Sequence, residues 1–193
     1  MKTKIISVKE GHAAAKAATI LKKGGIIVYP TETCYGIGAD ITNKRAVKMV
    51  FIVKHMPKDK KISMIVSGLK MAKKYTRIGK KEAMLIKKLL PGPLTVIPED
   101  GRSFRIPDNR FVLNMIRKFG KPITGTSANL SGAKSIYKIS EIKKYFHGKV
   151  NLIIDGGNLT KAKPSTVFGV ENMKVLRRGS ITRREIMECL NNI

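Results

Sequence analysis

The apolar positions of the chain fall into short runs of two periods, and their order predicts a layered α/β fold. The start, Met1 to Ser7, moves straight into an alternating strand pattern, and Ser7 with Glu10 has the spacing of a capping box. His12 to Lys23 is alanine-rich with apolar residues at helical spacing, until Gly24 ends it. Gly25-Ile26-Ile27-Val28-Tyr29 is then a β-branched run closed by Pro30, which reads as a buried strand. Asn43 is placed to cap a helix through Lys54, with Ala46, Val47, Val50, Phe51 and Ile52 as its expected buried face and Pro57 forbidding continuation. Ile62 to Val66 reads as a strand, and the segments Leu69 to Tyr75 and Lys80 to Leu90 as lysine-rich surface helices.

The second half repeats the alternation. Pro91-Gly92-Pro93 delivers the chain into the strand Leu94 to Ile97, and Phe104-Arg105-Ile106-Pro107 follows a short polar loop. Arg105 lies between two apolar residues, so its guanidinium points to the face opposite Phe104 and Ile106. It is either an edge residue in water or a fork for an anion. A helix is expected from Asn109 to Phe119 and another from Ser140 to His147, with strands at Leu152 to Ile154 and Val175 to Arg178. Thr182 and Glu185 form a capping box for a last helix ending near Leu190.

Three stretches depart from this apolar punctuation. In Thr31-Glu32-Thr33-Cys34-Tyr35-Gly36-Ile37-Gly38 the strand gives way to hydroxyls, an acid and two glycines, the composition of a loop that a ligand can approach closely. Thr124-Gly125-Thr126-Ser127-Ala128-Asn129 and Pro164-Ser165-Thr166 set hydroxyls at further strand mouths. Such groups suit phosphate and carboxylate oxygens, although Asn and Ser are also ordinary turn formers.

Charge changes the picture most. Thirty-nine Lys and Arg against thirteen Asp and Glu leave a formal charge of +26, a field that attracts polyanions and phosphorylated ligands without saying whether the protein binds nucleic acid or transforms a nucleotide. Hydrophobic content of 42% is that of a globular protein. Cys34 and Cys189, the two cysteines, lack the number for a disulfide framework and the spacing of a zinc site. With no signal-peptide pattern and no apolar run of the ~20 residues that a membrane span needs, a soluble, cytoplasmic protein of one domain, residues 1–193, is expected.

Taken in chain order, the motifs resemble the YrdC-like threonylcarbamoyl-AMP synthase family. The resemblance is carried by Pro30-Thr31-Glu32-Thr33-Cys34-Tyr35-Gly36-Ile37-Gly38, Lys54 before Pro57, Pro91-Gly92-Pro93-Leu94-Thr95 and Arg105-Ile106-Pro107-Asp108. Thr126-Ser127-Ala128-Asn129-Leu130-Ser131-Gly132, Pro164-Ser165-Thr166-Val167 and Leu176-Arg177-Arg178-Gly179 continue it over nearly the whole chain. It implies a YrdC/RibB-like fold, a twisted mixed sheet with flanking helices around a deep basic cleft. The implied reaction joins L-threonine, bicarbonate and ATP into threonylcarbamoyl-adenylate and pyrophosphate, with Mg²⁺ carried by ATP and no metal site of the protein's own. The product serves N6-threonylcarbamoyladenosine formation in tRNA, with a downstream tRNA-modification complex as the expected partner.

By the same resemblance Thr31, Tyr35, Thr126, Arg105 and Ser165 match positions around threonine, Arg105 facing its carboxylate. Lys54, Ser127, Asn129, Ser135 and Arg177 match positions around ATP, and Lys54, Ser127 and Asn129 are the catalytic candidates. In two places the chain departs from the pattern. The family usually has lysine, any residue, arginine, proline where this chain reads Lys54-His55-Met56-Pro57, so a thioether replaces a guanidinium. His55, Lys58, Lys60 and Lys61 are the neighbouring bases available to compensate. The loop before Arg105 is shortened, and the extra carboxyl-terminal domain of longer relatives is not expected. A different class of function also fits the charge: binding of tRNA or double-stranded RNA by the basic surface, without catalysis.

Overall fold

The computed structural model of the chain describes residues 2–191. Ten strands among these residues are β1 (Lys4–Ser7), β2 (Ile27–Pro30), β3 (Tyr35–Gly38), β4 (Ser63–Ile65), β5 (Leu94–Ile97), β6 (Phe104–Arg105), β7 (Ile123–Ser127), β8 (Leu152–Asp155), β9 (Thr166–Gly169) and β10 (Lys174–Arg177). The helices are α1 (Ala13–Lys22), α2 (Lys44–Lys54), α3 (Leu69–Tyr75), α4 (Lys80–Leu89), α5 (Arg110–Phe119), α6 (Ile139–Phe146) and α7 (Arg183–Leu190). The strands join in one sheet of order β1-β8-β2-β3-β7-β4-β6-β5-β9-β10. It is mixed: β8 runs parallel to both β1 and β2, while β7 is antiparallel to both β3 and β4 and so stitches the two halves together.

Strands that bury both faces explain the continuous apolar runs. Ile27, Tyr29, Leu152 and Ile154 pack under α1 and α5, whereas Val28, Ile37 and Ile153 point the other way, under α2 and α6. A third core, with α4 and α7, holds Met64, Leu94, Val96, Phe104 and Phe168 from the far half of the sheet. The opposite face of that half is the one with chemistry.

Local signals set most helix ends. Asn43 Oδ1 accepts from Ala46 N at 3.1 Å, and Asn109 Oδ1 from Val112 N at 3.1 Å. Gly120, at φ 85°, takes the left-handed position that ends α5. The Thr182 and Glu185 box closes as expected, Thr182 N donating to Glu185 Oε2 at 2.7 Å and Glu185 N to Thr182 Oγ1 at 3.2 Å.

Three expectations are corrected. Glu10 does accept from Ser7 N, at 2.9 Å, but this closes a turn before Gly11, and α1 begins later at Ala13 with no side-chain cap. On α2 the buried residues are Ala46, Val50, Val53 and Lys54, and Ile52 is 53% exposed, because the buried stripe follows the 3.6-residue period and not the run of apolar letters. Of the stretch read as one binding loop, only residues 31–34 are loop; Tyr35–Gly38 pairs antiparallel with β2 as β3. Gly36 and Gly38 are needed there by a neighbour of the chain's own, since a Cβ would lie 3.0 Å and 2.9 Å from the Tyr29 ring.

Candidate functional site

A cavity of about 390 Å³ opens on the sheet face opposite the third core. Strand alternation builds it. Thr95 and Ile97 face it while Leu94 and Val96 face the core; Ser63 and Ile65 flank buried Met64; Arg105 turns away from Phe104, and Val167 from Phe168. Loops at the strand ends add Thr31, Thr33, Cys34, Ser135, Tyr137 and Ser165. Lys60, Lys61, Arg105 and Arg177 line it, with no Asp or Glu among its lining residues.

Arg105, 9% exposed, is held on three sides. Its Nε donates to Gly92 O at 3.1 Å, Nη1 to Thr33 Oγ1 at 3.2 Å and Nη2 to Glu32 Oε1. The Pro91-Gly92-Pro93 turn that opens β5 thus also cradles the guanidinium, and Gly92 N in turn donates to Ile106 O at 2.9 Å. Glu32 Oε1 also accepts from Asp108 N at 3.0 Å. The loop carrying Glu32 is knotted by Thr31, whose Oγ1 donates to Cys34 O at 2.6 Å and accepts from Thr33 N at 3.1 Å. Burial pushes the neighbouring Cys34 thiol up from its ordinary pKa, so it is a poor nucleophile.

Across the cavity, Arg177 reaches from the end of β10. Its Nε donates to Ser165 O at 3.0 Å and Nη2 to Ser165 Oγ at 2.7 Å, and Ser165 Oγ lies 2.9 Å from Thr95 Oγ1. Partial burial, and then the like charge of Arg105, lower the Arg177 pKa from its ordinary value. Two guanidiniums that repel one another across a space free of carboxylates make a site for anions.

Of the residues singled out from the sequence, Thr31, Arg105, Thr126, Ser127, Ser135, Ser165 and Arg177 line this one cavity. Three sit behind its wall. Tyr35 is buried with its ring among the apolar side chains under α2, its hydroxyl donating to Gly157 O at 2.7 Å and accepting from Gly156 N at 3.0 Å. Burial, then the Asp155 charge, pushes its pKa up to about 12 despite the Gly156 bond. Lys54, 2% exposed at the end of α2, donates to Ser127 O, to Asn129 O at 2.8 Å and to Asn129 Oδ1 at 3.4 Å. Asn129 gives its amide to Leu130 O at 2.9 Å and Ala133 O at 2.6 Å and accepts from Ser127 Oγ. Lys54 and Asn129 together hold the 127–133 loop. Desolvation, and then the charge of Lys60, lowers the Lys54 pKa to about 8.

Met56 lines the cavity, as do Lys60 and Lys61 from the same connection; His55 and Lys58 do not. Sequence reading missed Thr95 and Glu32 as site residues. Thr95 was legible as the polar position between Leu94 and Val96, whereas the grip of Glu32 on Arg105 joins residues 73 positions apart and left no local trace. Among the described residues no group of three His, Cys, Asp or Glu side chains is placed to hold a metal ion. No helix among them is long and apolar enough to cross a membrane.

Relatives share this architecture. A Methanocaldococcus jannaschii protein is 33% identical over 98% of this chain and 99% of its own. The threonylcarbamoyl-AMP synthase of Bacillus subtilis is 32% identical over 93% of this chain, which spans 57% of that protein, and that of Pyrococcus abyssi is 31% identical, with 62% of its length spanned. Among solved structures, P. abyssi Sua5 complexed with L-threonine matches all of this chain, and 62% of its own, at a TM-score of 0.86 and 27% identity. Escherichia coli YciO matches 96% of this chain and 98% of its own at a TM-score of 0.82 and 25% identity. The family model for Sua5, YciO and YrdC proteins, described as telomere recombination, matches residues 19–179 and so takes in the cavity from Tyr29 to Arg177; the chain belongs to this family.

Proposed function

We propose that the protein is a transferase of the nucleotidyl type, a threonylcarbamoyl-AMP synthase that forms L-threonylcarbamoyladenylate and pyrophosphate from L-threonine, bicarbonate and ATP. One observation carries the reading: four cations and a ring of hydroxyls face a single cavity that no carboxylate lines. The names of the B. subtilis and P. abyssi relatives support it, as does the L-threonine complex of P. abyssi Sua5.

The chemistry asks for what this wall offers. An oxygen of the carbamate formed from threonine and bicarbonate attacks the α-phosphorus, a P–O bond forms, and the bond to the pyrophosphate breaks with its electron pair leaving on pyrophosphate. Two anions must be brought together, so the gain comes from orientation and from cations and neutral donors around the phosphorus. Arg105, oriented by Glu32, pairs with the threonine carboxylate, with Thr31, Thr126 and Ser165 beside it. Ser127, Ser135 and Arg177 face the nucleotide. Lys54 and Asn129 act by shaping the 127–133 loop, and Tyr35 by anchoring β3. Mg²⁺ enters with the triphosphate.

The product is an activated threonylcarbamoyl group for adenosine in tRNA, and the basic surface suits transient contact with tRNA or the modification machinery. A purely RNA-binding protein would need no such cavity. Purified protein given ATP, Mg²⁺, bicarbonate and threonine releases pyrophosphate only when threonine and bicarbonate are both present. Release indifferent to threonine overturns the substrate assignment.

A further inference from the structure

The cations lining the cavity are not equivalent. Arg105 spends three of its N–H groups on Gly92 O, Thr33 Oγ1 and Glu32, and Arg177 spends two on Ser165. Lys54 is bound to the acceptors of the 127–129 segment and lies outside the cavity lining. Lys60 and Lys61 differ from all three. Both reach the cavity from the connection between α2 and β4, both are exposed, and among the described residues neither has a hydrogen bond or ion pair from its side chain.

Their placement also differs. Lys60 and Lys61 line the cavity together with Ser127, and the charge of Lys60 adds to burial in lowering the Lys54 pKa. Next to them lie Met56, uncharged, and the hydroxyl pair Ser63 and Ser103, whose Oγ atoms are 2.8 Å apart. This corner therefore combines two point charges on flexible stems with neutral donors and lacks the rigid planar fork of an arginine. A chain of phosphates whose charge moves between two positions, as when pyrophosphate leaves, suits such a pair better than it suits a fixed fork.

We propose that Lys60 and Lys61 form the polyphosphate arm of the cavity, binding the outer phosphates of a nucleoside triphosphate and the inorganic pyrophosphate it releases. The identity of the triphosphate rests on the proposed synthase reading; the affinity for pyrophosphate does not. The two ammonium groups take up the charge of the leaving group, while Arg105, engaged with Glu32, remains committed to the other end of the cavity.

The test uses the full chain and inorganic pyrophosphate as the probe, with ATP, AMP and L-threonine alongside, by calorimetric titration at moderate salt. Lys60→Gln and Lys61→Gln alter exposed side chains only, so folding is retained. Each is expected to weaken pyrophosphate and ATP about tenfold, the size of one charge-assisted hydrogen bond, with AMP and threonine unchanged. Lys60→Arg and Lys61→Arg keep most of the affinity. Lys16→Gln with Lys23→Gln, which removes two charges from a distant groove, leaves pyrophosphate binding within twofold. Unchanged pyrophosphate affinity in the Lys60 and Lys61 variants overturns the arm, and so does an equal loss for AMP or for the distant pair, since the lysines would then act only through the general field. A protein whose pyrophosphate binding depends on these lysines but which binds neither ATP nor threonine keeps the arm and loses the synthase.

Discussion

Glu32 grips Arg105 from behind the cavity wall: one oxygen of its carboxylate accepts from both Arg105 Nη2 and Asp108 N, while the other oxygen, Oε2, is buried without a hydrogen-bond partner among the described residues. The pair is largely removed from water, with side-chain exposures of 22% for Glu32 and 10% for Arg105. Breaking such a pair strands a buried charge, a cost of order 3 kcal/mol. Glu32→Ala is therefore expected to lower the unfolding free energy by roughly that amount in urea titration and to weaken threonine about tenfold by freeing the guanidinium. Binding of AMP should change much less. An unaltered threonine affinity would detach Arg105's orientation from Glu32.

Gly179 has no room for a side chain. A Cβ there would stand 2.2 Å from Pro164 O, 2.4 Å from Thr166 N and 2.5 Å from Ser165 C, all backbone atoms that cannot swing aside. Gly179→Ala should push the Pro164 to Thr166 segment away, at a cost of about 1–3 kcal/mol in stability. The displaced Ser165 would lose its contacts to Thr95 and Arg177, so threonine binding should fall as well. Equilibrium unfolding and calorimetry on the same variant check both effects.

Lys54 makes the protein's behaviour depend on pH above neutrality. Its pKa, lowered from 10.5 to about 8, means that both folded and unfolded chains carry the charge below pH 8, where the folded state bears the full cost of burying it. Between pH 8 and 10.5 the folded protein releases the proton while the unfolded chain keeps it, so this group's contribution to stability rises with pH, by at most about 3 kcal/mol. The neutral amine has one donor fewer for Ser127 O and the two Asn129 oxygens, so the 127–133 loop loosens and activity should decline above about pH 8. Lys54→Arg, charged throughout, is expected to shift that decline upward; an unshifted limb assigns it to another group.

Met56 offers a complementary test. Its side chain lines the cavity beside Lys60 and Lys61 and carries no charge. Met56→Arg in the Lys60→Gln background should recover about 1–3 kcal/mol of ATP binding if that corner receives phosphate. Titration with ATP in the single and double variants measures it, and no recovery would mean that the phosphates lie elsewhere.

Much was legible in the chain because it is local. Asn43, Asn109 and Thr182 cap their helices through bonds three residues long, and adjacency along a strand decides that Arg105 points away from Phe104. Motif order placed the family. Other features are settled only when distant segments meet. Ile52 looks as apolar as Val53, yet the rotation of α2 over the sheet leaves it in water. Lys54 is read as the last residue of a helix, yet its ammonium is taken by acceptors of the 127–129 segment, more than seventy positions along the chain. Gly36 reads as an opening for a ligand and does line the cavity, but the Tyr29 ring packed against it needs the missing Cβ as well. Sequence alone determined most of the element order, the caps of α2, α5 and α7 and the residue types able to handle anions, since these follow from nearest neighbours and periodicity. Which cations are spent on the protein's own carbonyls and carboxylates, and which stay free to face the cavity, was decided by the tertiary structure, because the desolvated partners come from strands and loops far apart in the chain.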